Sequence, residues 1–166
     1  IKKRVKRIKY LKNYVPEIIN FKKNFYTYNR FEGEVLSKIL DKKLFTEFLT
    51  HTEKFWEKNI LKKNDSKIFR RKCKNFYFVK TKKRLSLFYK TFNKIDENTI
   101  INGKKIPTLS EILKQVDWKY ISNGIPVRFH GDFHFENILY SSKNKTFCFI
   151  DWRQDFEVIL KYGDIY

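Results

Sequence analysis

The chain has no Met and no Ala, only two Cys in 166 residues, and about half as many acidic as basic side chains, 18 against 37. Each shortage excludes something. Cys73 and Cys148 lie far apart, without C-x-x-C spacing. They are too few for a disulfide scaffold or a zinc knuckle, so a reducing, cytoplasmic setting is the default. No run approaches the roughly 18 uncharged apolar residues of a membrane span. The basic first ten residues lack the apolar core of a secretory signal. There is no internal repeat and no low-complexity linker. The missing Met and Ala accompany abundant Lys, Asn, Ile, Phe and Tyr, all with A/T-rich codons, so codon bias can supply much of the lysine excess. The absent initiator Met and the apolar end at Ile165 and Tyr166 lead to the expectation of a piece of a longer chain. Against these shortages stands an aromatic content of 18%, with 17 Phe. That argues against disorder and for at least one modest core.

The charge is uneven. Residues 1–90 hold 27 basic and 8 acidic side chains, whereas residues 91–166 hold 10 of each. A basic half attracts polyanions, so a nucleic-acid-binding module is one reading. Here, however, the cations are interleaved with aromatics along helix-like segments, which also describes the solvated face of ordinary amphipathic helices. The run Lys2-Lys3-Arg4-Val5-Lys6-Arg7 has the composition of a nuclear address. It equally fits a basic helix face with Ile1, Val5 and Ile8 on the other side, the reading we favour.

Periodicity predicts a helix over residues 1–12, strands over 15–21 and 25–31, and a helix over 44–62 with Phe45, Phe48, Leu49, Phe55, Trp56 and Ile60 on one stripe. Residues 64–66, Asn-Asp-Ser, read as a break. A second long helix is predicted over 76–92 with Val79, Leu85, Phe88 and Phe92 inward. A polar loop or short hairpin follows around Asn102-Gly103, then a short helix over 110–116 with Ser110 as N-cap. Short strands are expected over 125–129, 137–140 and 146–150, the last two joined by a turn at 141–145. Two strands, then helices, then a hairpin make an α+β chain.

The chemistry concentrates in His130-Gly131-Asp132-Phe133-His134-Phe135-Glu136-Asn137 and in Phe149-Ile150-Asp151-Trp152. Asp132 sits just past a strand, in a turn opened by Gly131, where a carboxylate projects rather than packs. Asn137 stands at the edge of the next strand and Asp151 at the end of the following one, so the hairpin can bring them together. One carboxylate and one amide oxygen are hard donors with room for water and phosphate, a preference for Mg²⁺. A second carboxylate, Asp132, can accept a proton from an attacking hydroxyl. These are the acceptor-side parts of phosphoryl transfer.

In order and spacing, HGDFHFEN followed by IDW resembles the catalytic core of the aminoglycoside phosphotransferase and choline kinase superfamily, small-molecule kinases with a protein-kinase-like fold. The resemblance implies that Asp132 is the catalytic base or hydroxyl-orienting residue and that Asn137 and Asp151 are Mg²⁺ ligands. It implies ATP or GTP as phosphoryl donor and a small hydroxyl-bearing acceptor such as a sugar, aminoglycoside or amino alcohol. It also implies that His130 is a buried residue holding the catalytic turn, while His134 is open between loop support and substrate contact. Residues 162–166 look like the start of a further family motif, in which Asp164 would brace the catalytic loop. Residues 15–36 look like the last two strands of an N-terminal lobe, a hinge and the first helix of a mostly helical C-terminal lobe. The backbone at Asn29 and Phe31 would then meet the adenine. On that mapping residues 1–31 are an N-lobe remnant and 32–166 the C-lobe with its small catalytic hairpin. The phosphate-covering loop, strand lysine and helix glutamate of such a kinase would lie upstream of residue 1. The chain as given would therefore carry the acceptor and metal chemistry without the full nucleotide grip, and is expected to be inactive or feeble alone. No specific nucleic acid and no membrane enter this reading.

A competing reading takes His130, Asp132 and His134 as alternate-position metal ligands of a metallophosphoesterase. That class needs further histidines downstream, and His51 is the only other one in the chain. Arg153, Asp155 and Glu157, which follow the metal aspartate, are read either as facing the acceptor or, as we favour, as a solvated loop.

Overall fold

The computed structural model describes residues 1–58 and 60–154; most predicted elements form with shifted edges, and further short elements and one long helix join them. They are α1 (Lys2–Leu11), β1 (Ile18–Phe21), β2 (Tyr26–Tyr28), β3 (Glu34–Val35), α2 (Leu36–Ile39), α3 (Lys42–Phe55), α4 (Lys63–Lys74) and α5 (Lys80–Thr91). Then come β4 (Thr99–Ile101), β5 (Lys104–Ile106), α6 (Leu109–Gln115), α7 (Trp118–Ile121), β6 (Ile138–Ser141) and β7 (Thr146–Phe149). The architecture is α+β with small antiparallel sheets. Among the described residues no helix is long and apolar enough to cross a membrane. The chain divides into two units, one made of residues 1–63 with those from 125 onward, the other of residues 64–124. The expected lobe boundary at residue 31 therefore falls inside the first unit.

The first unit owes its core to α3. Asp41 caps it, its carboxylate accepting the Leu44 N–H at 2.7 Å, which starts the helix two residues before the predicted edge. Leu44, Phe48, Thr52 and Phe55 form the buried stripe. The helix ends at Phe55 rather than at residue 62, and Arg128 donates to the carbonyls of Lys54 and Phe55 at 2.8 and 3.3 Å. A guanidinium there satisfies terminal carbonyls and complements the helix dipole. Ile60, expected on the stripe, is 98% exposed, and Phe45 and Leu49 are also exposed. Against α3 pack Leu11, Leu36, Ile138, Phe147, Phe149 and Trp152. Phe133 stacks on Phe55 with centroids 5.7 Å apart and meets Phe149 edge-on at 4.9 Å. β6 is central in a three-stranded sheet, pairing Ile138 with Phe149 on one side and Val35 with Leu139 on the other. Gly33 permits that approach: a Cβ there would lie 2.7 Å from the Tyr140 carbonyl oxygen. β1 and β2 form a separate hairpin.

The predicted strand at 125–129 reduces to one bridging residue, Val127. Pro126 has no N–H to give a ladder, and the carbonyls of Phe129 and His130 are engaged by Arg7 instead.

In the second unit, the expected break at residues 64–66 is instead the first turn of α4, where Asp65 suits the positive end of the helix dipole. A π turn at Asn75–Val79 joins α4 to α5, with helical backbone at Lys74 and Lys80 on either side. Val79 and Leu85 are half-buried as expected, but Phe88 and Phe92 are 47% and 61% exposed. The hairpin at Asn102-Gly103 forms, both residues having positive φ as a tight two-residue turn requires. Helix α6 starts earlier than predicted. Thr108 is its N-cap, in a reciprocal capping box with Glu111, not Ser110. Asp96 secures the same end, accepting from Leu109 N and Ser110 N at 2.7 and 2.8 Å. Both cysteines are buried free thiols.

Candidate functional site

Two short arms of the first unit cross at Gly131. Its φ of +94° is glycine territory, and a Cβ there would lie 2.7 Å from that of Arg153. The arms are tied where Arg153 N donates to His130 O at 3.0 Å. His130 completes the joint from within. Its Nε2 lies 2.9 Å from the Ile150 carbonyl and its Nδ1 accepts from Asp132 N at 3.3 Å. A carbonyl can only accept and an amide only donate, so the imidazole is neutral with its proton on Nε2. It is the buried loop-holding residue that the sequence implied. Burial pushes its pKa down from the ordinary 6.5 to about 4.

That displacement has a stability consequence with a definite sign. Between about pH 4 and 6.5 the unfolded chain binds a proton here that the folded chain refuses, so folding stability falls as pH drops through this window. We expect a cost that is absent above pH 6.5 and reaches roughly 3 kcal/mol below pH 4. Urea titrations from pH 7 to 4 measure it. A His130 ring proton that titrates near pH 6.5 by NMR would overturn it.

Asn137 ends a 3₁₀ turn at Phe135–Asn137 that leads into β6. Its amide nitrogen donates to the Asp132 carbonyl at 2.9 Å and lies 3.0 Å from His134 Nε2. Two acceptors on the nitrogen fix the amide orientation and leave Oδ1 without a hydrogen bond among the described residues. His134 Nδ1 in turn donates to Glu136 at 2.9 Å, holding the Glu136 carboxyl below its usual range. His134 thus ties Glu136 to Asn137 within the loop, with its side chain 50% exposed. The Asn137 backbone carbonyl accepts from Ile150 N at 2.9 Å, so the hairpin does bring the residue preceding Asp151 onto Asn137. Asp151 itself has a left-handed φ of 53°, a conformation a short polar side chain tolerates. Its side chain is 56% exposed.

Each carboxylate meets an arginine. Arg153 NH2 reaches Asp132 Oδ2 at 3.2 Å, and Arg4 NH1 reaches Asp151 Oδ1 at 2.8 Å. Arg4 also donates to the Tyr26 hydroxyl at 3.2 Å, while its backbone carbonyl accepts from Trp152 Nε1 at 3.0 Å. One turn on, Arg7 is 2% exposed and donates to the carbonyls of His130 at 3.2 Å, Phe129 and Arg153. Its guanidinium lies 5.4 Å from the Phe129 ring centroid. The sequence reading missed both arginines as parts of the site and placed them on a basic outer face. The apolar faces of Val5 and Ile8 are only half-buried, and Arg7 and Leu11 are the buried positions of α1.

The remaining predicted positions divide. Asn29 N donates to Glu17 O at 2.9 Å, so its N–H is engaged within the β1–β2 hairpin extension. Phe31 lies half-buried beside Gly33. Asp155, Glu157 and residues 162–166, including Asp164, lie outside the described residues. In the alternative cluster, His130 is buried with both ring nitrogens engaged, and the acceptor nitrogen of His134 faces Asn137. Neither imidazole offers a lone pair to a metal in this arrangement. Among the described residues no three His, Cys, Asp or Glu side chains converge as a metal cluster. An amide oxygen and a half-exposed carboxylate, completed by water and phosphate, still fit Mg²⁺. No protein-family model, no curated protein and no solved structure matches this chain.

Proposed function

We propose that the chain is the catalytic part of a small-molecule kinase of the aminoglycoside phosphotransferase and choline kinase type, transferring the γ-phosphoryl group of a nucleoside triphosphate to a hydroxyl. The observation that supports the reading is the Asn137 amide, held so that its oxygen makes no hydrogen bond among the described residues, beside the segment that presents Asp151. An amide held this way has an acceptor to offer and no donor, which suits a cation.

Asn137 and Asp151 would hold Mg²⁺, whose chemistry when bound is to neutralise charge on the phosphate oxygens. The chain's own residues supply the acceptor side. Asp132 Oδ2 is engaged by Arg153, while Oδ1 makes no hydrogen bond among the described residues. Oδ1 would accept the proton of the acceptor hydroxyl as that oxygen forms its bond to phosphorus and the bond to the nucleoside diphosphate breaks. His130 keeps Asp132 in position through the backbone and takes no proton. Adenine, on this reading, meets the main chain near Asn29 and Phe31 through groups other than the Asn29 N–H.

Nucleotide turnover by the full-length protein, measured against a panel of sugars, aminoglycosides and amino alcohols, tests the reading. Acceptor-dependent, Mg²⁺-dependent nucleoside diphosphate formation is expected. Asp151→Asn should weaken Mg²⁺-dependent nucleotide binding by about tenfold or more, since it removes the only charge in the ligand pair. An unchanged magnesium titration would remove Asp151 from the site. Phosphate release from monoesters in Mn²⁺ or Zn²⁺, with no acceptor transfer, would favour the hydrolase instead.

A further inference from the structure

We propose that Arg4 is an exchangeable counter-ion of the metal site: its guanidinium occupies Asp151 until a divalent cation arrives, then passes to the nucleotide phosphates. This rests on the kinase reading of Asn137 and Asp151 and adds a residue to it that the sequence motif does not contain.

The geometry is specific. Arg4 comes from the first turn of α1, 147 positions away in sequence, and a single nitrogen, NH1, contacts both Asp151 Oδ1 and the Tyr26 hydroxyl. The guanidinium lies 6.0 Å from the Tyr26 ring centroid. The Asp151 end of this pair is open to solvent, with the aspartate side chain 56% exposed, whereas Arg4 is 23% exposed. A half-exposed ion pair holds weakly against water and salt. A dication competing for the same carboxylate oxygen therefore meets a low barrier to displacing it. Tyr26 then keeps the released cation nearby. Guanidinium is suited to phosphate, which it binds in a fork of charge-assisted hydrogen bonds. Nothing else in the helix need move, because the tie from Trp152 Nε1 runs to the Arg4 backbone carbonyl.

The exchange predicts effects of opposite sign, which a purely structural ion pair does not. In Arg4→Gln, Asp151 loses its internal competitor, so Mn²⁺ alone, titrated by EPR, should bind about fivefold tighter. The same variant loses a phosphate partner, so a fluorescent ADP analogue titrated with saturating Mn²⁺ should bind about fivefold weaker. Arg4→Lys keeps the charge without the fork and should retain near-parent Mn²⁺ affinity with an intermediate loss for the nucleotide. Unchanged or weaker Mn²⁺ binding by Arg4→Gln overturns the competition. Tighter Mn²⁺ binding with unchanged or tighter nucleotide binding overturns the transfer to phosphate. If the parent protein binds no Mn²⁺ with or without nucleotide, the metal-site reading falls, and this inference falls with it.

Discussion

Asp132→Asn in the full-length protein is expected to lower kcat by about 10²–10⁴ while leaving nucleotide affinity within twofold. The asymmetry follows from where Asp132 sits. Its backbone N–H is held by His130 Nδ1 and its backbone carbonyl by the Asn137 amide, so both structural ties run through the main chain and survive the substitution. Asparagine is nearly isosteric and still offers an oxygen to Arg153, which in this structure lies 3.2 Å from Oδ2. What is lost is an atom able to take a proton from the acceptor hydroxyl. On the proposed function, nucleotide binding would depend on other atoms, the Asn137 oxygen and the Asp151 carboxylate. Equal turnover in variant and parent would remove Asp132 from the chemistry. A parallel fall in nucleotide affinity would instead make it part of the binding site.

The candidate site was legible where its chemistry is local in sequence. Gly131, Asp132 and Asn137 belong to one eight-residue segment, and the register of a tight hairpin fixes where Asp151 falls relative to Asn137. The buried, loop-holding place of His130 was what the resemblance of that same segment implied, and His130 is 2% exposed. The arginines of α1 were not legible. Arg4 and Arg7 meet partners more than 120 positions away, and a lysine-rich run shows no difference between a cation facing water and one facing carbonyls. The same blindness to distant partners hid Arg128, which caps the end of α3, and periodicity alone placed Phe88 and Phe92 on an inner face that they do not occupy. Errors at helix starts have a local cause. Asn64, Asp65 and Ser66 read as a break because these residues favour turns, yet the same side chains also suit a first helical turn. Only the fold decides between the two.

Arg7 carries the second large expectation. Arg7→Met should destabilise the protein by about 3–5 kcal/mol, seen as a fall in Tm of roughly 10 °C and a lower urea midpoint at unchanged slope. The guanidinium is buried and its acceptors are main-chain carbonyls of both arms of the site, Phe129 and His130 on one and Arg153 on the other. Methionine fills much of the volume over Phe129 but donates nothing, so the Phe129 and Arg153 carbonyls lose the guanidinium at about 1–3 kcal/mol each, while the His130 carbonyl keeps the Arg153 N–H. Relief from burying a cation offsets part of that loss, which keeps the net below the sum. Arg7→Lys keeps the charge but has a single compact head in place of a planar fork, and should recover only part of the stability. A change below 1 kcal/mol in Arg7→Met would mean that water replaces the guanidinium readily and that α1 does not brace the loops. If the loss is as large as expected, kcat should fall in the same variant even well below its Tm. The crossing of the arms at Gly131 and the placing of Asp132 depend on carbonyls that Arg7 draws together.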